Sequence, residues 1–296
     1  MKLKLLTFIV AFIMISLFES SISAIEIKFP GEQGFFIGKP MIYVVKATAG
    51  DPQAIGSEGI YKFGPDKVTI DGSEYYDCIF ANERGGAHFY LGIDSINALV
   101  TQKGIAFGET NLNIKPAITA LKYPLVEGKK WEEKTKITAK NITIPGLGII
   151  PNELTIDNVS AQTIVSSTSI KVPAGPFDCL LVEATYNGSL LGLPVTLIQR
   201  TWMSEDNVPI KRNFEFTKPT KMMLYDMELS EANPDPYDLN WDGISNILDL
   251  MIITKYYGRQ MQSTRIPNPD INGDGFVDMK DINLAISHFG EKYKKQ

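Results

Sequence analysis

The sequence predicts a multi-domain chain: a mainly antiparallel β body, formed as one curved sheet or half-barrel, then a small all-α C-terminal unit built on a duplicated acidic loop. Three observations carry that expectation. Apolar and polar residues alternate with period two through much of the first 230 positions, and Gly and Asn turn signals punctuate the alternation. Near the end, a pattern of oxygen-bearing side chains running from Asp238 to Asp249 recurs 32 residues later from Asp270 to Asp281.

Composition narrows the function classes. With 296 residues, 44% hydrophobic and 21% charged, the chain can bury one or two sizeable cores, which excludes disordered and collagen-like readings. The net charge is −5 and no basic run concentrates the positive side. A nucleic acid or an anionic membrane surface has nothing obvious to hold, so no nucleic-acid partner is expected. Two cysteines are too few for a disulfide-stapled scaffold.

The first element is an export signal. Lys2 and Lys4 precede an apolar run from Leu5 to Phe18, and the small-residue stretch from Ser20 to Ala24 follows. That is the layout of a secretory signal peptide over residues 1–24, with cleavage after Ala24. The apolar run is shorter than the roughly 20 residues a spanning helix needs, and no later segment approaches that length. The expectation is a secreted or extracytoplasmic protein with no stable membrane span.

Residues 25–230 read as strands and turns. In the segment Trp131 to Lys140, Trp131, Thr135, Ile137 and Ala139 alternate with Glu132, Lys134, Lys136, Thr138 and Lys140, which marks a strand with one buried and one wet face. Similar runs are Met41 to Thr48, Tyr76 to Ala81, His88 to Gly92, Thr163 to Val172, Asp178 to Tyr186, Val195 to Met203 and Lys221 to Met227, separated by turn signals such as Asp71-Gly72 and Asn187-Gly188. About ten such segments suggest one curved antiparallel sheet, with a two-sheet sandwich as the alternative. Two stretches, Ile144 to Pro151 and Leu190 to Pro194, are both apolar and rich in Gly or Pro; they either line a ligand mouth or tuck back onto the core.

Chemistry in the body leaves little local signature. His88 and His288 are the two histidines and lie far apart in sequence, so no His-centred triad assembles within the body. A glycoside hydrolase acting through two carboxylates from distant strands is the alternative to a non-catalytic body, with Glu132, Glu133 and Glu183 available. A carbohydrate binder would instead expose a flat aromatic row, for which Trp131, Trp202 and Tyr75-Tyr76 are candidates. Cys78 and Cys179 occupy similar settings and could pair or remain two buried thiols.

Composition changes abruptly after residue 230. Residues 231–237 read as a linker held extended by Pro234 and Pro236, and residues 238–296 form the second unit. There, Asp238, Asn240, Asp242, Asn246 and Asp249 occupy positions 1, 3, 5, 9 and 12 of one loop, and Asp270, Asn272, Asp274, Asp278 and Asp281 the same positions of the other, with Gly243 and Gly275 at position 6. Ile244 and Phe276, at position 7, add backbone carbonyls. Oxygen donors at that spacing suit Ca²⁺, so two calcium sites are expected. The second loop, with four carboxylates against three, should bind more tightly, and without metal the crowded carboxylates should leave the unit poorly folded. Prolines directly before each loop break any entering helix, whereas Leu250, Ile253 and Tyr257, and Ile282, Ala285, Ile286 and Phe289, fall at helical spacing after it, with Gly258 and Gly290 as stop signals.

This duplicated loop-then-helix unit in an exported chain resembles the dockerin family, on the stretches Asp238 to Asp249 and Asp270 to Asp281. The resemblance covers roughly the last 60 residues. It implies a calcium-dependent plug that docks into a cohesin module on another protein, in secreted assemblies that degrade polysaccharides, with loop positions 10 and 11 helping to choose the partner. Those positions are Ile247-Leu248 and Met279-Lys280, which differ from the small hydroxyl pair of cellulosome dockerins; Ile247 and Leu248 could equally be core. The body faintly resembles curved-sheet exported proteins related to lipoprotein carriers, on Tyr123 to Trp131, Val172 to Cys179 and the strand holding Trp202. That resemblance implies a half-barrel around an apolar cavity that holds a lipid or is filled by side chains, and it brings no catalytic residue; a carbohydrate ligand belongs to the carbohydrate-binding alternative.

Overall fold

The computed structural model describes residues 25–292 apart from 32–39, 49–51, 83–84, 108–109, 145–147, 151–152, 191, 220, 232–235, 241–242 and 262–266. The expected signal peptide, most of the expected linker and the candidate ligand Asp242 lie outside the described residues.

The sheet closes. Twelve strands form a complete antiparallel ring: β2 (Pro40–Thr48), β3 (Glu58–Ile70), β4 (Ser73–Asn82), β5 (Gly85–Asp94), β6 (Leu99–Phe107), β7 (Thr110–Lys122), β9 (Lys130–Lys140), β12 (Leu154–Val172), β13 (Gly175–Leu190), β14 (Leu193–Ser204), β15 (Pro209–Lys218) and β16 (Met222–Glu231). The half-barrel expectation is therefore corrected. Closure is made by β16 pairing with β2, Leu229 opposite Tyr43, and by β9 serving as partner of both β7 and β12. A closed ring leaves no unpaired edge. Two small ribbons complete the β structure: β1 (Glu26–Ile27) with β8 (Leu125–Val126), and β10 (Ile142–Ile144) with β11 (Gly148–Ile150).

Alternation fixes what points inward. In β14, Val195, Leu197, Gln199 and Met203 are buried at every second or fourth position, and in β9 Thr135, Ile137 and Ala139 are buried as the sequence pattern expects. Glu133 shares that inner register and is satisfied there, its carboxylate accepting from the Thr119 N–H at 2.6 Å and the Thr119 hydroxyl at 2.7 Å. Gly104 marks a close approach between strands, since a Cβ on it would lie 2.3 Å from the Leu112 carbonyl oxygen.

Side chains fill the ring. Tyr43, Tyr61, Phe89, Tyr225, Phe214 and Tyr186 form a chain of edge-to-face and tilted contacts with centroids 5.9–6.4 Å apart, and Phe89 on β5 meets Tyr225 on β16, four strands away around the barrel. Gln199 on β14 donates to Gln102 on β6 at 3.2 Å across the same interior. Ile27 and Leu125 of the short ribbon are fully buried in this cluster.

The C-terminal unit has its own small core of Leu239, Ile253, Val277 and Ala285. Helices α1 (Ile247–Lys255) and α2 (Met279–Ser287) each begin at position 10 of a loop, and among the described residues no helix runs directly into the start of either loop. Leu250, Ile253, Ile282 and Ala285 meet this core as their spacing predicts, but Tyr257, Ile286 and Phe289 stay about half exposed, because a core of four residues offers them no surface. Among the described residues no helix is long and apolar enough to cross a membrane.

Candidate functional site: a duplicated acidic loop

Each loop is organised by its first and last carboxylates. Asp249 and Asp281, at position 12, are completely buried, and Asp238 and Asp270, at position 1, nearly so. Asp249 accepts the Asn240 N–H at 2.9 Å on Oδ1 and the Asn246 N–H at 2.8 Å on Oδ2; Asp281 accepts the equivalent Asn272 N–H at 3.1 Å and Asp278 N–H at 2.8 Å. Oδ2 of Asp238 and of Asp270 takes the N–H of the position-6 glycine at 2.8 Å in both loops. These contacts repeat at an interval of 32 residues, so the two loops share one backbone path.

Positive φ at that glycine, +90° for Gly243 and +91° for Gly275, produces the turn that brings positions 1 and 12 together. Position 9 then caps the following helix. Asn246 and Asp278 have extended backbones and accept from the N–H of Leu248 (2.8 Å) and Lys280 (2.7 Å), and Asp249 and Asp281 complete the reciprocal capping boxes. Loop and helix are thus one local device in which the last oxygen donor is also the third helical residue.

The halves interlock by exchange. Ser245 donates its N–H to the Glu291 carbonyl and accepts from Gly290 N–H, while Val277 donates to Arg259 and accepts from Gly258. Each loop therefore pairs with the segment leaving the other half's helix, where Gly258 and Gly290 take positive φ. The Tyr237 ring stacks on His288 at 3.6 Å between centroids, tying the beginning of the first loop to the end of the second helix.

The loops differ at position 11. Lys280 Nζ donates to Asp274 Oδ2 at 2.7 Å and lies 3.8 Å from Asp278 Oδ2. The Lys280 ammonium beside Asp274 holds its carboxyl below the usual range, and the same contact raises the lysine. In the first loop Leu248 stands at that position, and the Asn246 amide donates to the Ile244 carbonyl at 3.0 Å. Among the described residues no three carboxylate, imidazole or thiolate groups converge closely enough to enclose a metal ion. The donor set at loop positions 1, 3, 9 and 12 is nevertheless all oxygen and partly buried, which fits a hard divalent cation.

Residues 236–289 match the dockerin type I domain. The dockerin segment contains both loops and both helices, and calcium binding and cohesin docking are the general properties of such a segment. No curated protein matches the sequence. An exported protein of YmcC-like fold from Bacteroides fragilis is similar over 70% of this chain and 98% of that one, with 10% identity and a TM-score of 0.38.

Loop positions 10 and 11 of the dockerin segment face outward. Ile247 is 59% exposed, Leu248 49% and Met279 51%, so Ile247 and Leu248 are surface residues and not core. In the body, the residues read as possible catalytic groups are separately engaged: Glu132 accepts from the Ser160 hydroxyl, Glu133 from Thr119, and Glu183 pairs with Arg200 at 2.6 Å. His88 contacts Asp77 at 2.9 Å. Tyr76 points into the core and is not available to a surface aromatic row, and Trp131 donates to the Thr119 carbonyl. In the stretch Leu190 to Pro194, Leu190 packs against the barrel core whereas Leu193, at the β13–β14 turn, is 63% exposed. Cys78 and Cys179 are buried free thiols, each pushed up to about 12 by burial.

Arg212 escaped the sequence reading altogether. It is 6% exposed inside the barrel. The signal was the alternation Ile210, Arg212, Phe214 in β15, which puts an arginine at an inward register position.

Proposed function

We propose that this is an exported calcium-binding protein whose dockerin segment docks into a cohesin module and carries the barrel as non-catalytic cargo. The observation that supports this best is the repeated loop, in which buried carboxylates at positions 1 and 12 hold the backbone in the same way in both halves. Two calcium ions are held, one by Asp238, Asn240, Asp242, the Ile244 carbonyl, Asn246 and Asp249, the other by Asp270, Asn272, Asp274, the Phe276 carbonyl, Asp278 and Asp281. Calcium supplies charge compensation for seven clustered carboxylates and so couples metal binding to folding. Ile247 and Met279, the first residues of α1 and α2, give the docking surface two related apolar positions. Residues 1–24 are removed on export.

The full-length protein should be retained by an immobilised type I cohesin module in millimolar calcium and released by chelator. Failure of a panel of such modules to retain protein whose helices respond to calcium by circular dichroism would overturn the docking assignment. N-terminal sequencing of secreted protein should begin at Ile25.

A further inference from the structure

We propose that the barrel interior binds a small organic carboxylate, an anion with a short apolar body, and that Arg212 on β15 is the group that holds its charge. Arg212 crosses the lumen from β15 to strands on the far side. Its guanidinium lies 5.0 Å from the Phe89 ring centroid on β5 and 5.6 Å from that of Tyr61 on β3, and Nη1 donates to the Tyr61 hydroxyl at 3.2 Å. The side chain is 6% exposed, its Nε has no hydrogen-bond partner, and among the described residues no carboxylate forms an ion pair with it.

A buried cation needs a counter-charge, because removing a guanidinium from water without one is expensive. Among the described residues the groups around Arg212 do not supply it, and the inward carboxylate of Glu133 is held by Thr119. Tyr43, Tyr61 and Tyr225 are all pushed above the ordinary phenol range by burial, and the Cys78 thiol is raised to about 12 by the same cause, so these neighbours are neutral at physiological pH. Aromatic faces stabilise the cation but carry no net charge.

Beside the guanidinium is a cavity of about 70 Å³, lined by Arg212, Asn207, Tyr61, Met41, Leu91 and Met203 among others. Asn207 is also 6% exposed, and its Nδ2 is a second donor with no partner. The unmet polar groups on the cavity wall are thus both donors, while the rest of the wall is largely aliphatic and aromatic. Water could take up the N–H groups but brings no charge. A ligand that is all acceptor at one end and apolar at the other matches what the wall lacks.

The test uses the full-length protein in calcium and follows the thermal midpoint of the barrel. Its probes are n-alkyl carboxylates from acetate to decanoate, the alcohols of equal length, and chloride. A carboxylate of intermediate length should raise the midpoint by about 5–10 °C at a hundredfold excess over its dissociation constant, with the matching alcohol and chloride shifting it far less. Arg212→Met should leave a folded barrel that has lost the preference for carboxylate over alcohol. Should Arg212→Met not fold, Arg212→Lys, which keeps the charge, should retain the preference. Equal shifts by carboxylate and alcohol, equal shifts by chloride and carboxylate, or no shift by any probe in the wild type would each overturn the assignment.

Discussion

Replacing Asp281 by Ala isolates the part of the dockerin segment in which one side chain does most. Its carboxylate is wholly buried and accepts two backbone amides, from Asn272 at 3.1 Å and Asp278 at 2.8 Å. A hydrogen bond to a charged acceptor contributes about 1.5–3 kcal/mol, so the substitution costs about 3–6 kcal/mol before any lost metal contact is counted. Burying one Leu, Ile or Val contributes about 1.5–3 kcal/mol, and the segment's core has only Leu239, Ile253 and Val277 beside Ala285. The loss therefore equals that of about two of its three large core residues. Asp281 also closes the capping box of α2, so that helix should open first. Hydrogen exchange on the full-length protein in calcium should show the amides of residues 282–287 exchanging about 10²- to 10⁴-fold faster in Asp281→Ala, with barrel amides unchanged. Asp249→Ala should do the same to α1. Wild-type protection of α2 in Asp281→Ala would refute the reasoning, since the carboxylate would then not be what holds the loop.

Three further outcomes are expected. Lys280→Met should raise the calcium affinity of the second loop several-fold by calorimetry, because the ammonium on Asp274 offsets the extra carboxylate that makes this loop the more acidic; unchanged affinity would mean the lysine swings aside at no cost. Cys78 and Cys179 should resist iodoacetamide in the native protein at pH 8 and react fully in denaturant, as followed by mass; a protein two mass units light, unreactive until reduced, would refute their being free thiols. Burial raises the Asp226 carboxyl, with Lys211 opposing, so its contribution to stability is present below the ordinary carboxylate range and is lost as pH rises through the folded value. Asp226→Asn should accordingly flatten the pH dependence of the barrel midpoint and raise it at pH 7; a lower midpoint at pH 7 would show the Lys211 contact to be worth more than the desolvation.

The loops were legible in the sequence because their geometry is local. Twelve consecutive residues carry the donors, the position-6 glycine and the helix cap, and each contact spans at most nine positions, as from Asn240 to Asp249. Strands such as β9 were legible for the same reason. β7 was hidden by Pro116 within its span, β3 by Gly64 and Pro65 at its register shift, and β6 by the irregularity around Lys103 and Gly104. With those strands and β15 unseen, the count fell short and the sheet looked open. Closure depends on β9 meeting β12 and β16 meeting β2, pairings no local window contains. Arg212 was missed because the run Pro209 to Lys218 was not read as a strand, so the alternation Ile210, Arg212, Phe214 that turns it inward went unused.

Separate cores have a consequence for how the two halves of the chain respond to calcium. The barrel cluster, from Ile27 to Leu229, and the dockerin cluster around Leu239, Ile253, Val277 and Ala285 share no residue. The carboxylates that calcium would bridge are hydrogen-bonded to amides within the dockerin segment alone. Removing calcium should then abolish protection in α1 and α2 while leaving the barrel's thermal midpoint within about one degree, since among the described residues the two cores are built from separate side chains. Calorimetric scans of the full-length protein with and without chelator measure both at once. A barrel transition that falls by several degrees on chelation would mean that the halves are energetically coupled, and calcium would then control what the barrel holds as well as where it is held.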